Sequence, residues 1–398
     1  MHNRLPLLPH QAQGVKYILN NSSAFVCDDM GMGKTRTVIE AMFKRGQFPI
    51  LVICPASLKI NWKNEIERWI GVTIPIDDLS QNVIITNYER MKKYKFDIKY
   101  IPVKQLVLDE SHSFKNDSSQ RTKLALEWSK RIPYKILITG TPMLNRPNEL
   151  VTQMQILNNI HKVGGAEYFL NTYCNPRHSQ YGIDYSGASH LKRLHNVMNK
   201  IWLRRTKKDL ANQLPCKTIV PIPIIEMEQP APHSFNEIER YDKAVLRSKL
   251  PPSVDFINQL VERGEKVVVF VHHKDIGKAL NLAFPEASVI VGGQSPSIRQ
   301  VNIDNFQLGD TQVIICSLQA SAVGLTLTSS RCAVFIEYPW SPALLAQAQD
   351  RVHRLGQNKD VFIYYLYGKG SIDEYRLNTN SFKKAVIDYV VDLSLIHI

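Results

Sequence analysis

Between Ala24 and Arg36 the chain reads AFVCDDMGMGKTR, which predicts a short apolar strand, a turn and a helix that begins near Lys34. Main-chain N–H groups at a helix N-terminus, together with the helix dipole, attract anions. Gly31 and Gly33 permit backbone geometries and close approaches that a side chain would forbid. Lys34 adds a positive charge for the terminal phosphates of a nucleotide. The segment is therefore interpreted as a phosphate-binding loop.

The match to the general phosphate-loop pattern is incomplete, because Asp28 occupies the position of the first glycine. A glycine-rich turn without a ligand is the alternative interpretation. A nucleotide site also needs a metal ligand, and the Thr35 hydroxyl can bind Mg²⁺. A partner acid would distinguish the two interpretations.

Such an acid pair follows an apolar run in VKQLVLDESHSFKN, residues 103–116. Asp109 and Glu110 come at the carboxyl end of a predicted buried strand, where open α/β sheets bind ligands. Asp109 can hold Mg²⁺ and Glu110 can polarise an attacking water, since phosphoryl transfer depends chiefly on positioning and charge. The two motifs in this order favour a nucleotide site over an acidic loop.

Two arginines and a glutamine are further candidates. The segment WSPALLAQAQDRVHRLGQ, residues 340–357, predicts a helix with Arg351 and Arg354 on one face. Surface charge is the alternative, but opposite a phosphate loop such arginines can stabilise charge on a transferring phosphoryl group. Gln11 lies just ahead of an amphipathic helix and upstream of the phosphate loop, where its amide can read an adenine edge. A surface polar residue is the alternative there.

The elements that position these residues alternate between strand and helix. In the first half the predicted strands each end in a polar loop, which indicates a doubly wound parallel sheet with one working edge. They cover residues 24–27, 50–54, 83–86, 106–109 and 136–139. From 148 to 205 the pattern is helical without strands, and it ends in a basic helix over 200–214.

A β-like segment over 217–225 precedes a proline-bearing boundary. A second α/β unit then follows, with predicted strands at 266–271, 289–291, 313–316, 333–337 and 361–366. We expect residues 1–225 to form an N-terminal lobe with a helical extension, 226–252 a linker, and 253–398 a C-terminal lobe.

Composition narrows the functional class. The 398 residues are 44% hydrophobic, which excludes a disordered or low-complexity protein, and the net charge of +13 indicates an acidic partner. Nucleic acid is the usual partner of such a protein, and a solvated basic surface is the alternative. The basic residues form two clusters, which favours a phosphate-tracking surface. The clusters are Arg90, Lys92, Lys93, Lys95 and Lys99, and Lys192, Arg193, Lys200, Arg204, Arg205, Lys207 and Lys208.

The six cysteines show no CxxC spacing, so we expect buried thiols in a reducing compartment and neither a zinc site nor a disulfide framework. The N-terminal segment MHNRLPLLPHQ lacks an apolar targeting core, and no apolar run is long enough for a membrane span. We therefore expect a soluble intracellular protein of the cytoplasm or nucleoid, without a membrane partner.

Together these motifs resemble the Snf2 ATPase family of superfamily 2 helicases, and the resemblance covers nearly the whole chain. The matching pieces are Gln11, DDMGMGKT (28–35), LVICPASLKINW (51–62), ITNYE (85–89), DESH (109–112), TGTPMLNRPNEL (139–150), VVVFVHH (267–273), Gly324 to Thr326 and QAQDRVHRLGQ (347–357). Within the family, three segments resemble the HepA-related, annealing-helicase branch: YGIDYSG (181–187), WLRRTKKDLANQ (202–213) and KGSIDE (369–374).

The resemblance implies two RecA-like doubly wound parallel-sheet lobes with an ATP cleft between them. It implies an ATP- and Mg²⁺-dependent motor that tracks along duplex DNA and remodels or rewinds forked or branched DNA in repair, recombination or replication. Double-stranded or forked DNA is the implied partner, a single-strand-binding or recombination protein is a further candidate, and a monomer is the expected working form. Nucleosome remodelling is disfavoured, because the long insertions and extra domains of chromatin-remodelling relatives are absent from this sequence. A minimal bacterial or viral motor is favoured.

By the same resemblance, residue roles carry over to matching positions. The implied catalytic residues are Lys34, Asp109, Glu110, Arg351 and Arg354, and the implied Mg²⁺ ligands are Thr35 and Asp109. The implied nucleotide-binding residues are Gln11, Asp29, Gly31, Met32, Gly33, Lys34, Thr35, Arg36, Gly324, Arg351 and Arg354. The implied DNA-binding residues are Ser57, Lys59, Asn87, Tyr88, Arg146, Thr326 and Trp340.

Other functions stay open at this point. One is an RNA-dependent ATPase or the motor subunit of a restriction-like complex, which would need a nuclease partner because no nuclease signature is visible. Another is a nucleic-acid-binding regulator that no longer hydrolyses ATP. The presence of all five implied catalytic residues argues against the regulator.

Overall fold

Short apolar runs bounded by polar turns form two parallel sheets in the computed structural model of this chain. The structure describes residues 6–94, 100–180, 182–206, 215–227, 235–321, 325–354 and 356–392. The chain divides into two units, Met1–Leu210 with Ala385–Ile398, and Ala211–Lys384. Each unit holds one six-stranded sheet in which every pairing is parallel. The predicted fold class, parallel α/β sheets with helices, is confirmed.

The first unit has the strand order β3-β2-β4-β5-β1-β8. Its strands are β1 (Ser23–Val26), β2 (Ile50–Cys54), β3 (Val83–Asn87), β4 (Gln105–Asp109), β5 (Tyr134–Ile138) and β8 (Trp202–Leu203), with a separate antiparallel hairpin of β6 (Arg177–Ser179) and β7 (Gly182–Asp184). Its helices are α1 (Pro9–Leu19), α2 (Lys34–Arg45), α3 (Lys59–Ile70), α4 (Gln120–Ser129), α5 (Glu149–Ile156), α6 (Ala166–Tyr173) and α7 (Leu191–Met198).

Strand β2 shows why this sheet is covered on both faces. All its residues are buried, and they alternate between two separate apolar clusters. Leu51 and Ile53 belong to one cluster, and Ile50, Val52 and Cys54 to the other. Since side chains of a strand point alternately to opposite faces, helices must pack on both sides. The polar carboxyl ends of the strands are left as the place where ligands can bind.

The second unit has the strand order β11-β12-β10-β13-β14-β9. Its strands are β9 (Lys217–Glu226), β10 (Val267–Val271), β11 (Ser288–Ile290), β12 (Val313–Ser317), β13 (Cys332–Phe335) and β14 (Val361–Lys369). Its helices are α8 (Phe235–Glu262), α9 (Lys274–Ala283), α10 (Pro296–Leu308), the one-turn α11 (Leu318–Ser321), α12 (Pro342–Gln349) and α13 (Ile372–Asp392), whose residues from Ala385 onward count with the first unit. Apolar clusters again cover both faces of the sheet.

The region from 148 to 205, expected to be helical throughout, contains three strands. The hairpin β6–β7 is exposed, and β8 is an edge strand that pairs with β1. The predicted basic helix over 200–214 is wrong in its described part, because Trp202 packs edge-on against Phe25 with ring centroids 6.2 Å apart. That contact and the pairing with β1 hold the backbone extended. Residues 207–214 lie outside the described residues.

A single helix, α8, runs through Pro251 and Pro252, where the sequence suggested a joint. Its buried positions continue at helical spacing on both sides of the prolines, so packing on the sheet outweighs the lost main-chain hydrogen bonds. These positions are Asp242, Val245, Leu246, Lys249, Ser253, Ile257 and Leu260. Residues 226–252, expected to link the lobes, belong to the second unit.

Of the six cysteines, Cys216 is exposed and the others are buried, all as free thiols. No helix among the described residues is both long enough and apolar enough to cross a membrane.

Candidate nucleotide site

The predicted phosphate loop connects the end of β1 to the start of α2 and has the backbone that its glycines allow. Gly31 and Gly33 have φ angles of 82° and 75°, in the left-handed region that favours glycine. A Cβ atom at Gly33 would lie 2.4 Å from Nε2 of Gln11. Two features therefore favour glycine at position 33: the positive φ angle and the close approach of the Gln11 side chain.

Gln11 is buried against this loop. Its Oε1 accepts a hydrogen bond from the Leu8 main-chain N–H at 3.1 Å, which orients the amide. The neighbouring His10 ring contacts the Met32 carbonyl at 3.0 Å. The structure thus brings α1 onto the loop, as an adenine-reading role for Gln11 requires.

The Lys34 ammonium lies within its own loop. It donates to the main-chain carbonyls of Asp28 at 2.7 Å and Asp29 at 2.9 Å. Burial lowers the pKa of Lys34, and the Glu110 carboxylate opposes that shift. A Cβ at Gly140, in the loop after β5, would come within 3.3 Å of Lys34 Nζ. Three loops at the carboxyl edge of the sheet therefore meet around one ammonium.

Arg204 and Arg205, which follow the edge strand β8, hold this loop from the side. Arg205 Nε donates to Asp28 Oδ1 at 2.9 Å, and its Nη2 contacts Asp28 Oδ2. Arg204 Nη2 lies 2.6 Å from Asp29 Oδ1, and its Nη1 donates to the Cys27 carbonyl at 2.7 Å. The prediction that these two arginines belong to a phosphate-tracking surface is therefore wrong, because both are engaged by the aspartates of the loop.

Sequence reasoning missed this clamp, although a signal was present. Asp28 and Asp29 place two negative charges in a loop that is meant to bind anions. A buried carboxylate needs a cationic or hydrogen-bonding partner. The spacing of residues in the sequence does not show which cation of the chain is the partner of each aspartate.

The acid pair lies at the end of β4, as predicted. Asp109 Oδ2 accepts from Trp62 Nε1 at 2.8 Å, and its Oδ1 accepts from the Glu110 main-chain N–H at 2.9 Å. Burial, reinforced by the Glu110 carboxylate, raises the pKa of Asp109. Glu110 has a φ angle of 50°, an uncommon conformation for a residue with a side chain and one found at functional turns.

A histidine and a threonine connect Glu110 to the loop after β5. His112 Nδ1 lies 3.3 Å from Glu110 Oε2 and 3.1 Å from the Thr139 hydroxyl, which itself lies 3.5 Å from Glu110 Oε2. Burial lowers the pKa of His112 to about 4, so the ring is neutral at physiological pH. Neither residue was among the predicted site residues, because a histidine three positions after a strand does not by itself indicate a site.

The donors present fit Mg²⁺. Thr35 supplies a hydroxyl at the start of α2 and Asp109 a carboxylate at the end of β4. No group of three or more potential metal-binding side chains occurs in the part of the chain that the structure describes. A nucleotide-associated Mg²⁺ takes one or two protein ligands and completes its shell with phosphate and water.

The predicted DNA-binding residues of the first unit differ in exposure. Lys59 pairs with Asp77 at 2.6 Å, and Arg146 is exposed. Asn87 is buried, and its amide donates to the Glu89 carboxylate. Ser57 lies in a single helical turn before α3.

Tyr88 is also buried, and its hydroxyl donates to the Asp109 main-chain carbonyl. Any contribution of Tyr88 to a nucleic-acid track would therefore act through β4 rather than through an exposed ring.

In the second unit, Arg351 and Arg354 lie in the turn after α12 and not on a helix, which corrects the predicted 340–357 helix. The helix ends at Gln349 because the Arg351 carbonyl accepts the Leu327 N–H at 2.9 Å. Arg351 is buried, and Arg354 Nη1 donates to the Leu325 carbonyl at 3.3 Å.

The other predicted residues of this unit lie nearby in sequence. Thr326 is half-buried, and Trp340 is exposed beneath the Arg376 guanidinium, which lies 5.0 Å from the ring centroid. Gly324 lies outside the described residues. At the end of β10, His273 Nδ1 lies 2.5 Å from the buried Glu337 carboxylate.

Comparison with known proteins identifies related sequences. A sequence model of the SNF2-related domain matches residues 10–268, and one of the helicase conserved C-terminal domain matches residues 252–356. The Sulfolobus solfataricus SWI2/SNF2 ATPase core in complex with dsDNA is 22% identical, with 99% of this chain and 98% of that chain covered and a TM-score of 0.49.

Two eukaryotic relatives are more similar in sequence. The SWI/SNF-related matrix-associated actin-dependent regulator of chromatin subfamily A-like protein 1 of Bos taurus is 32% identical, over 93% of this chain and 43% of the relative. The DNA annealing helicase and endonuclease ZRANB3 of Homo sapiens is 32% identical, over 93% of this chain and 39% of the relative. The chain thus spans about two fifths of the length of these relatives.

Proposed function

The chain belongs to the SNF2-related family of helicase-like ATPases, and from this premise we propose that it is a DNA-dependent ATPase that moves along duplex DNA. One observation carries the proposal most directly. Lys34, Asp109 and Glu110 come from two separate strand ends and meet at the same edge of a parallel sheet, beside a helix N-terminus. Charge and positioning of this kind are what phosphoryl transfer requires.

The proposed roles follow from the contacts. Lys34 exchanges its two main-chain carbonyl partners for phosphate oxygens. Thr35 and Asp109 would hold Mg²⁺, which would supply positive charge for the phosphates. Glu110 orients the attacking water, while His112 and Thr139 fix its carboxylate. The list of proposed nucleotide contacts is completed by Gln11, Asp29, Gly31, Met32, Gly33 and Arg36 in the first unit, and by Gly324 in the second.

For Arg351 and Arg354 we propose a role during turnover, in which they add positive charge to the transferring phosphoryl group. The Arg351 main chain is hydrogen-bonded to Ala348 and to Leu327, and the Arg354 guanidinium donates to the Leu325 carbonyl. These bonds connect the turn after α12 to the segment before β13 and fix the backbone position of Arg351 and the side chain of Arg354. Guanidinium groups in this role are worth roughly 10³ to 10⁵ in rate.

The nucleic-acid substrate is proposed from the relatives and from charge. The relatives include a protein named as a DNA annealing helicase, and this chain has a net charge of +13. We therefore propose duplex and forked DNA as the partners, and rewinding or remodelling of branched DNA as the outcome. Among the predicted DNA-binding residues, Arg146 and Trp340 are the exposed side chains that could contact it directly.

Steady-state ATP hydrolysis tests the proposal, measured alone and with duplex DNA, forked DNA, single-stranded DNA and RNA at one stated salt concentration. We expect forked or duplex DNA to stimulate turnover most. Lys34→Ala and Glu110→Gln should lower turnover by about 100-fold or more while DNA binding persists.

The alternatives give different results. Stimulation by RNA in preference to duplex DNA would replace the DNA motor with an RNA-dependent ATPase. Turnover that no nucleic acid stimulates, together with intact DNA binding, would favour a regulator.

A further inference from the structure

The second basic cluster of the sequence separates into two groups in the structure. Arg204 and Arg205 turn inward onto the phosphate loop, whereas Lys192, Arg193 and Lys200 are exposed on α7 and the turn that follows it. None of these three has an acidic partner within 4 Å among the described residues. Lys192, Arg193 and Lys200 are therefore exposed cations without an ion pair among the described residues.

Helix α7 is strongly two-sided. Leu194, His195 and Met198 are buried in the core of the first unit, which fixes the orientation of the opposite face. Lys192 and Arg193 are exposed on this helix, and Lys200 is exposed in the turn after its last residue, Met198. Like charges held on one rigid surface repel each other unless an anion neutralises them.

An aromatic ring supports one of these cations. The Arg193 guanidinium lies 5.8 Å from the ring centroid of Tyr168, which is 40% exposed on α6. Together with His190, the three cations line an open depression of about 590 Å³. Basic side chains beside an exposed aromatic ring form the kind of surface that contacts nucleic-acid backbone.

The surface lies at the opposite edge of the sheet from two of the predicted DNA contacts, Asn87 and Tyr88. Asn87 ends β3 at one edge, whereas Lys200 lies two residues before β8 at the opposite edge. Five strand spacings of about 4.8 Å separate these edges by roughly 24 Å.

We propose that the surface formed by Tyr168, His190, Lys192, Arg193 and Lys200 binds the phosphate backbone of duplex DNA as a second contact of the first unit. The inference rests on the proposed function, since it assumes a protein that works on DNA. The energetic source is release of the counterions that condense on DNA, which makes the contribution depend steeply on salt. A second duplex contact suits a substrate with more than one arm.

The test compares two triple variants of the full chain. Lys192→Ala/Arg193→Ala/Lys200→Ala removes the surface, and Lys16→Ala/Lys123→Ala/Lys130→Ala removes three exposed lysines from other elements as a matched control. Both lower the net charge from +13 to +10. Duplex affinity is measured across a salt series by fluorescence anisotropy, together with basal ATP turnover without DNA.

Wild-type protein should bind duplex DNA, and the control should keep its salt slope. The surface variant should lose about 0.9 in the slope of log affinity against log salt for each phosphate contact, or about 2.7 in all. The loss of duplex affinity in the surface variant, relative to wild type, should then be about 40-fold larger at about 50 mM than at about 200 mM salt. Basal turnover should be unchanged in both variants, because none of the six residues contacts the nucleotide site.

A surface variant with the slope of the control would overturn the inference while leaving the proposed function standing. A wild-type protein that neither binds DNA nor responds to it would reject the proposed function first. The single variants Lys192→Ala and Lys200→Ala, each expected to lower the slope by about 0.9, test the same claim with less risk to folding.

Discussion

Replacing Arg205 with methionine should destabilise the first unit, and replacing Asp28 with asparagine in the same chain should restore most of the loss. The Asp28 side chain is only 1% exposed, and Arg205 contacts both of its carboxylate oxygens. Removing one partner of a buried pair costs about 3–5 kcal/mol, because a charge is left without compensation. The Arg205 side chain is 15% exposed, so water can reach the vacated position and the lower end of that range, about 3 kcal/mol, is expected.

The double variant carries no buried charge at position 28, so its cost should fall to about 1 kcal/mol, the value of ordinary lost hydrogen bonds. The coupling energy is the sum of the two single-variant costs minus the cost of the double variant, so it should be about 2 kcal/mol plus the cost of Asp28→Asn alone. Nucleotide binding should weaken as well in Arg205→Met, because the Asp28 carbonyl also holds Lys34. Each 1.4 kcal/mol lost from the loop corresponds to about a tenfold rise in the nucleotide dissociation constant.

Chemical denaturation followed by tryptophan fluorescence measures the stability term. It reports mainly on the first unit, which holds four of the five tryptophans: Trp62, Trp69, Trp128 and Trp202, with Trp340 in the second. A fluorescent nucleotide analogue measures the binding term.

Arg204→Met is the internal comparison. Its partner Asp29 is 26% exposed, so the loss should be smaller, about 1–2 kcal/mol. The proposed stabilising role of the two arginines would be refuted if Arg205→Met and Asp28→Asn had strictly additive effects on the free energy of unfolding. A larger loss of stability in Arg204→Met than in Arg205→Met would also refute it.

Three further predictions concern other contacts. Gly33→Ala should abolish nucleotide binding, because the new Cβ would meet the Gln11 side chain. Gly46→Ala is the control: its φ is similar, 66°, and a Cβ there has nothing within 4 Å, so it should cost only about 1 kcal/mol of stability. Equal nucleotide affinity in the two variants would contradict this prediction. Trp62→Phe removes the hydrogen-bond donor to Asp109, the proposed Mg²⁺ ligand, and should lower turnover or Mg²⁺ affinity by about 10–100-fold in a Mg²⁺ titration. An unchanged titration would count against that role. The hydrogen bond that the His273 ring donates to the Glu337 carboxylate raises the pKa of His273. The stabilisation from this pair is therefore present below the ordinary pKa of about 6.5 and is lost as pH rises through the raised value. The melting-temperature gap between wild type and His273→Asn should therefore be wider near pH 6 than near pH 8, and an equal gap would refute the assignment.

The sheet strands could be predicted from sequence where an apolar run was long enough to show its character. β2, β4 and β10 are continuous apolar runs with turn residues on either side, and the structure has them as expected. β8 has only two residues and the hairpin strands three each, too few to show a period of two. Their formation depends on tertiary partners, such as Phe25 for Trp202, which the local sequence does not reveal.

The site shows the same division. Motif residues at strand ends could be placed because parallel topology brings those ends together. Side chains whose role depends on a partner far away in the chain could not be placed: Trp62 on Asp109, His112 between two loops, and Arg205 on Asp28, 177 residues away. Arg351 and Arg354 were predicted to lie on a helix but lie in a turn, because the backbone there forms a hydrogen bond with a separate loop. The local sequence does not reveal that bond.

The arginine clamp also accounts for the presence of two aspartates in the proposed phosphate loop. The carboxylates of Asp28 and Asp29 would repel the phosphate groups of a nucleotide if they faced those groups. Arg205 and Arg204 neutralise them one for one and hold them to the side, so the charge left at the loop is that of Lys34. Since the clamp comes from the segment after β8, the anion-binding property of residues 28–35 depends on a part of the chain that no local motif would include. A loop transplanted without Arg204 and Arg205 should therefore bind nucleotide poorly, even with every residue of the motif in place.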